Sequence, residues 1–202
     1  MKTDIDYKDD PRWKLCNEAL TLRGAQCPNY FASVLLHFVE HTKLQKYKLA
    51  FETGTFEGQT TEIFAELFDY VSTVEKYVDS NPYRGNTNMK NEFYNKLTDK
   101  YSNINFYSGD SPIFLDTVLR GVNTPCVFLL DAHDGSTSPL REELKTIKSV
   151  LKTECIIVID DTVDVGAGNW PSTSELNDLL LDINPNFDIN YTGWGRNILI
   201  AQ

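Results

Sequence analysis

The chain has 202 residues, 41% hydrophobic and 12% aromatic, with a formal net charge of −10. That length suits one domain with a sizeable core, and the excess of acid disfavours nucleic acid as a partner, because phosphate backbones are repelled. No stretch approaches the ~20 apolar residues of a membrane span, and Met1-Lys2-Thr3-Asp4 opens no signal peptide.

A cytoplasmic protein with no membrane contact is therefore expected; whether it forms a homo-oligomer is left open. Cys16, Cys27, Cys126 and Cys155 form no C-x-x-C pair, which argues against structural zinc. Cys126 and Cys155 each begin an apolar run and read as small core residues. Cys16 and Cys27 could bridge in an oxidising compartment, but nothing requires it, and the sequon Asn190-Tyr191-Thr192 is expected at a strand end of a protein that is not secreted.

Residues 1–29 are polar and irregular and read as an N-terminal arm or lid; residues 30–202 read as a single domain. Phe31 to Val39 is apolar on one helical face. A short strand over Tyr47–Phe51 then leads into Glu52-Thr53-Gly54-Thr55-Phe56-Glu57-Gly58, and Ile63, Phe64, Leu67 and Phe68 give the next segment helical spacing. Two glycines between a strand and a helix let the backbone approach a ligand closely, at a helix end whose N–H groups can meet polar atoms. The second strand, Val71–Val74, ends in Glu75, placed where a nucleotide-type ligand presents its ribose hydroxyls.

Helices are expected near 87–101, 112–120 and 137–151, alternating with strands Ile104–Tyr107, Cys126–Leu130 and Cys155–Ile159. Ser172-Thr173-Ser174-Glu175 reads as a capping box that starts a last helix. Phe187–Tyr191 and Asn197–Ala201, joined across Gly193-Trp194-Gly195, read as a hairpin. The expected fold is α/β: a doubly wound, Rossmann-like three-layer sheet, mostly parallel, closed by a C-terminal antiparallel hairpin.

The glycine loop, Glu75, Ser108-Gly109-Asp110-Ser111, Leu129-Leu130-Asp131 and Ile157-Val158-Ile159-Asp160-Asp161 together resemble a class I S-adenosylmethionine-dependent methyltransferase over residues 30–202. The resemblance implies that Glu52, Gly54, Thr55 and Gly58 form the loop around the methionine part of the cofactor. It places Glu75 at the ribose, Asp110 and Ser111 at the adenine, and Asp131 beside them. Asp131, Asp160 and Asp161 end neighbouring strands ~4.8 Å apart, and such carboxylates suit a hard divalent cation such as magnesium.

That arrangement is similar to metal-dependent O-methyltransferases of the catechol and macrolide-sugar types, which implies O-methylation of a small-molecule hydroxyl. The chain departs from the catechol type at Asp134, where that type carries a lysine, and from the macrolide-sugar type at His133, where that type carries an acid. His133 is the first candidate for the base and Asp134 the second. Trp170, and Tyr30 or Trp13 from the arm, could line the acceptor pocket. His37 and His41, one helical turn apart, read as an exposed face.

Two rivals remain. A nicotinamide oxidoreductase is disfavoured because Gly54 and Gly58 do not make G-x-G-x-x-G. A non-catalytic scaffold that keeps the cofactor site is not excluded by sequence, and a strand-end acid can equally cap the helix that follows it.

Overall fold

The structure, a computed structural model, describes Leu35, Val39 and residues 41–56, 58–76, 87–133, 137–162, 168–192 and 198–202. The N-terminal arm, most of the Phe31–Val39 segment, Asp134 and the Gly193-Trp194-Gly195 turn lie outside the described residues, as do Trp13, Tyr30, His37, Cys16 and Cys27.

A short helix α1 (His41–Leu44) precedes β1 (Leu49–Thr53), α2 (Gln59–Leu67), β2 (Tyr70–Glu75), α3 (Thr87–Lys100) and β3 (Ile104–Ser108). Then come α4 (Ser111–Val118), β4 (Cys126–Leu130), α5 (Leu140–Val150), β5 (Cys155–Ile159), α6 (Thr173–Ile183), β6 (Ile189–Tyr191) and β7 (Leu199–Ala201). The sheet has the order β3-β2-β1-β4-β5-β7-β6. The first five strands pair in parallel, while β7 runs antiparallel to both β5 and β6. The expected doubly wound sheet with a closing antiparallel pair is the one observed, and β7 enters between β5 and β6. No helix among the described residues is long and apolar enough to cross a membrane.

Alternation along the central strands builds two cores from one run of apolar residues. Phe128 and Leu130 of β4 join Phe51, Leu115, Leu144, Ile147, Leu176 and Leu180, under α4, α5 and α6. Val127 and Leu129 join Ala50, Phe64, Phe68, Val71 and Leu97, under α2 and α3. Phe51 and Phe128 stack at 5.4 Å between β1 and β4. Cys126 and Cys155 face each other in register as buried free thiols, the core role expected of them.

Several boundaries shift by a few residues: the helix expected over 137–151 is Leu140–Val150, and the closing strands shorten to Ile189–Tyr191 and Leu199–Ala201. β1 runs on to Thr53, so Glu52 and Thr53 belong to the strand and not to the loop. At α6 the expected capping box forms: Ser172 Oγ accepts from Glu175 N, the Glu175 carboxylate accepts from the Ser172 backbone, and the same carboxylate also pairs with Arg141 (2.5 and 2.9 Å).

The strand order reverses between β1 and β4, and there the backbones nearly touch. Gly54 has φ +87, and a Cβ on it would lie 2.4 Å from the Asp131 carbonyl oxygen. No side chain fits. Gly54→Ala is expected to cost at least about 1–3 kcal/mol through backbone strain alone, a fall of several degrees in the thermal midpoint; an unchanged midpoint by scanning calorimetry would show that the contact relaxes freely.

Candidate functional site

Asp134 aside, which lies outside the described residues, the candidate site acids lie at or beside the carboxyl ends of the parallel strands, where open α/β sheets bind ligands. Beyond β1 the glycine loop folds over β2: Gly54 N and Thr55 N both donate to Val74 O, at 3.0 and 3.1 Å, and Gly58 N donates to Thr55 O. Gly58 occupies the N-cap of α2 with a left-handed φ of 69, a conformation that glycine adopts at little cost. Phe56, also left-handed, donates its N–H to Glu75 Oε2 at 2.9 Å. The Glu75 carboxylate therefore already meets the loop backbone at the carboxyl edge of the sheet.

Glu52 lies beneath the loop, 1% exposed. Its Oε2 accepts from Thr61 Oγ1 (2.5 Å) and Thr73 Oγ1 (2.6 Å), and Thr73 Oγ1 lies 2.5 Å from Thr55 Oγ1. Burial pushes this carboxyl up to about 8 against the pull of the two hydroxyls. It ties β1, β2, α2 and the loop together. Asp110 sits at the N-cap of α4 but makes no capping bond; its Oδ1 pairs with Lys76 Nζ at 2.7 Å. Ser111 is buried behind it.

At the β4 and β5 ends, Asp131 N donates to Thr53 O (3.0 Å), which fixes Asp131 against β1. His133 Nε2 lies 2.8 Å from Asp161 Oδ2 and 3.4 Å from Asp131 Oδ1. Ligating atoms of Asp131, His133 and Asp161 all fall within 4.8 Å of one another, a donor set able to hold a metal ion. Asp160 is not in that group. Adjacent residues leave a strand on opposite sides, and the turn that brings Asp161 round is its left-handed φ of 54. Asp160 remains close enough for Asp131 to matter: burial first, then the Asp131 charge, raise its carboxyl to about 7.

Two residues of this site escape sequence reasoning or gain weight from the structure. Glu143, on α5, is 1% exposed. Burial raises it to about 7, opposed by hydrogen bonds from the Ser111 and Thr53 hydroxyls. One signal was available: Leu140, Glu143, Leu144 and Ile147 share the buried face, so Glu143 is an acid at an apolar position of the helical repeat. Trp170, expected only as a pocket liner, packs its ring 5.6 Å from that of His133.

Its loop is pinned. Ser138 N donates to Asn169 Oδ1 (2.7 Å), Asn169 Nδ2 to Ser138 O (3.3 Å), and Arg141 Nη1 to Asn169 O (3.0 Å).

No protein-family model and no curated protein sequence matches the chain. Solved structures do. The O-methyltransferase TomG from Streptomyces achromogenes, involved in tomaymycin synthesis and solved with S-adenosylmethionine, superposes with a TM-score of 0.57 at 15% identity, over 96% of this chain and 89% of that one. An O-methyltransferase provisionally named as such from Klebsiella pneumoniae gives 0.55 at 17% identity, over 95% and 89%. A protein provisionally named caffeoyl-CoA O-methyltransferase from Staphylococcus aureus gives 0.54 at 16% identity, over 93% and 98%. The chain therefore has the class I methyltransferase fold and resembles O-methyltransferases in its architecture.

Hydrogen bonds to Asp131 and Asp161 raise His133 to about 10, against the opposing effect of burial. The ligand-free chain thus holds an imidazolium there at neutral pH. Because the folded value lies above the ~6.5 of an unfolded histidine, the stability it contributes is complete below about pH 6.5 and is lost as pH rises through about 10. Proton NMR on the ligand-free chain should show one histidine titrating near that higher value and disappearing in His133→Asn; a midpoint near ~6.5 would mean that the carboxylates do not hold the ring.

Proposed function

We propose that this chain is an S-adenosylmethionine-dependent methyltransferase that methylates a hydroxyl oxygen of a small molecule with the help of a divalent cation. The observation that carries this reading is the concentration of carboxyl groups around the β1–β4 crossing, with Glu75 bonded to the glycine loop beside it. A sulfonium cofactor is cationic and favours such an edge, whereas a dinucleotide brings two phosphates that it repels. The loop amides at Gly54 and Thr55 are also already committed to Val74 O, so they do not form a phosphate cradle. The like fold of TomG, which was solved with S-adenosylmethionine, supports the same choice.

The residues fit the implied groups. Glu75 would accept from the ribose, the Gly54–Gly58 loop would close over the methionine part, and Asp110 with Ser111 would border the adenine. Asp131 and Asp161 would hold the cation, with Asp160 or His133 as third ligand; carboxylates with an imidazole suit magnesium or a first-row ion such as manganese. Bound together, the sulfonium supplies an electrophilic methyl group and the cation supplies a Lewis acid that lowers the pKa of the acceptor hydroxyl. The protein's own part is chiefly to align the two reactants, which can lower the barrier by roughly 7–11 kcal/mol.

His133 takes the hydroxyl proton at Nε2, which requires the ring to have released the proton it holds between Asp131 and Asp161. The 2.8 and 3.4 Å contacts also favour a second reading, in which His133 ligates the cation and Asp134 is the base. His133→Asn separates them. As base, its loss lowers turnover by roughly 10²–10⁴-fold with cation affinity kept; as ligand, its loss weakens cation binding as well.

Calorimetry tests the cofactor. S-adenosylmethionine or its demethylated product should bind in the micromolar range, and Glu75→Ala should weaken binding by about 1.5–3 kcal/mol, as for a hydrogen bond to a charged group. Tight binding of a nicotinamide dinucleotide with none of the sulfonium cofactor would overturn the assignment. Cofactor binding without turnover on any hydroxyl acceptor, with and without magnesium or manganese, would leave the scaffold reading in its place.

A further inference from the structure

Phe56, in the loop between β1 and α2, has a left-handed φ of 47. Residues other than glycine adopt that conformation at an energetic cost, so surrounding groups must hold it, and such positions gather where ligands bind. Two groups from different elements hold this one. Phe56 N donates to Glu75 Oε2 at 2.9 Å, and Phe56 O accepts from the Tyr94 hydroxyl at 3.2 Å. The N–H lies in the peptide plane before the Cα and the C=O in the plane after it. Fixing both planes fixes φ and ψ of Phe56. The Phe56 ring itself is 47% exposed, so the hold is on its backbone.

Tyr94 is built into the fold. It stands on α3, 8% exposed, with its ring stacked on Phe106 of β3 at a centroid distance of 4.6 Å. Its hydroxyl also bonds with the Thr55 side chain. Thr55 Oγ1 in turn lies 2.5 Å from Thr73 Oγ1, which donates to the buried Glu52 carboxyl. Burial, then the charge of Glu75, push the phenol upward, so it keeps its proton and remains a donor.

We infer that Tyr94 is a positioning residue for the ligand loop: its hydroxyl and the Glu75 carboxylate clamp Phe56 left-handed, and so set the loop and Glu75 together before a ligand arrives. Without the hydroxyl, Phe56 is drawn toward the negative φ that a side chain prefers. Its N–H then turns from Glu75, and the carboxylate loses the bond that aims it. A ligand must afterwards restore both, at the expense of its affinity. That the ligand is S-adenosylmethionine rests on the proposed function; the clamp itself does not.

Tyr94→Phe keeps the ring and its stack on Phe106 and removes only the hydroxyl oxygen. Titration with S-adenosylhomocysteine should show affinity roughly three- to tenfold weaker, the loss of one hydrogen bond. In a Phe56→Gly background the left-handed turn has no side chain to strain it. There the same change should cost less than about twofold, the limit within which independent effects add. A hydroxyl that merely supported the fold would cost the same in both backgrounds.

Hydrogen exchange on the ligand-free protein reads the clamp with no cofactor present. The Phe56 amide should exchange roughly three- to tenfold faster in Tyr94→Phe, while the amides of β4, which open only when the domain unfolds, report that the fold is kept. Equal affinity of wild type and Tyr94→Phe, an equal loss in both backgrounds, or an unchanged Phe56 amide overturns the inference. Wild-type protein that ignores S-adenosylhomocysteine while its Phe56 amide responds to Tyr94→Phe overturns the methyltransferase reading and leaves the clamp standing.

Discussion

The carboxyl ends of β1 and β4 meet with no side chain between them, and the site depends on that contact. Gly54 can approach the Asp131 carbonyl because it lacks a Cβ and tolerates φ +87. Thr53 O accepts from Asp131 N on one side of this point, and Val74 O accepts from Gly54 N and Thr55 N on the other. Three strand ends are thereby locked in order, β2-β1-β4. Glu75 and Asp131 inherit their separation from backbone hydrogen bonds, not from flexible side chains, which is the support that a precise two-reactant geometry needs.

Acid gathered at one sheet edge carries an electrostatic cost. Glu52, Glu143 and Asp160 all have their carboxyls pushed upward, to about 8, 7 and 7, with burial the largest cause in each. Hydroxyls offset part of it, through Thr61 and Thr73 at Glu52 and through Ser111 and Thr53 at Glu143. At Asp131 and Asp161 the offset is a positive charge, the imidazolium of His133. The edge is thus arranged for cations, and the protein fills the central position with one of its own side chains. A sulfonium and a metal ion are both ligands that such a field attracts.

Much of this was legible in the residues. Short apolar runs bounded by turn signals gave parallel strands because both faces of such a sheet are covered, and the change of rhythm after α6 gave the antiparallel pair. Glu75 and Asp131 were readable because a residue ending a parallel strand has only one edge to occupy. The carboxylate pair after β5 was readable as a pair, but its members were not separable: the left-handed turn at Asp161 decides which of them meets His133. Glu143 left only the trace of an acid among Leu140, Leu144 and Ile147.

The sequence by itself determined the layer architecture, the strand and helix order and the edge at which Glu75, Asp131 and the Asp160–Asp161 pair stand, since these follow from periodicity, glycine placement and strand parity, which are local properties. Tertiary structure alone decided that Glu52 lies under the loop, that His133 bridges Asp131 and Asp161, and that Glu143 and Trp170 share a crevice. Those pairings join residues distant in the chain, such as Glu52 with Thr73 and Arg141 with Glu175. They depend on distances of an ångström or less in packing between elements, which no spacing along one strand or helix encodes.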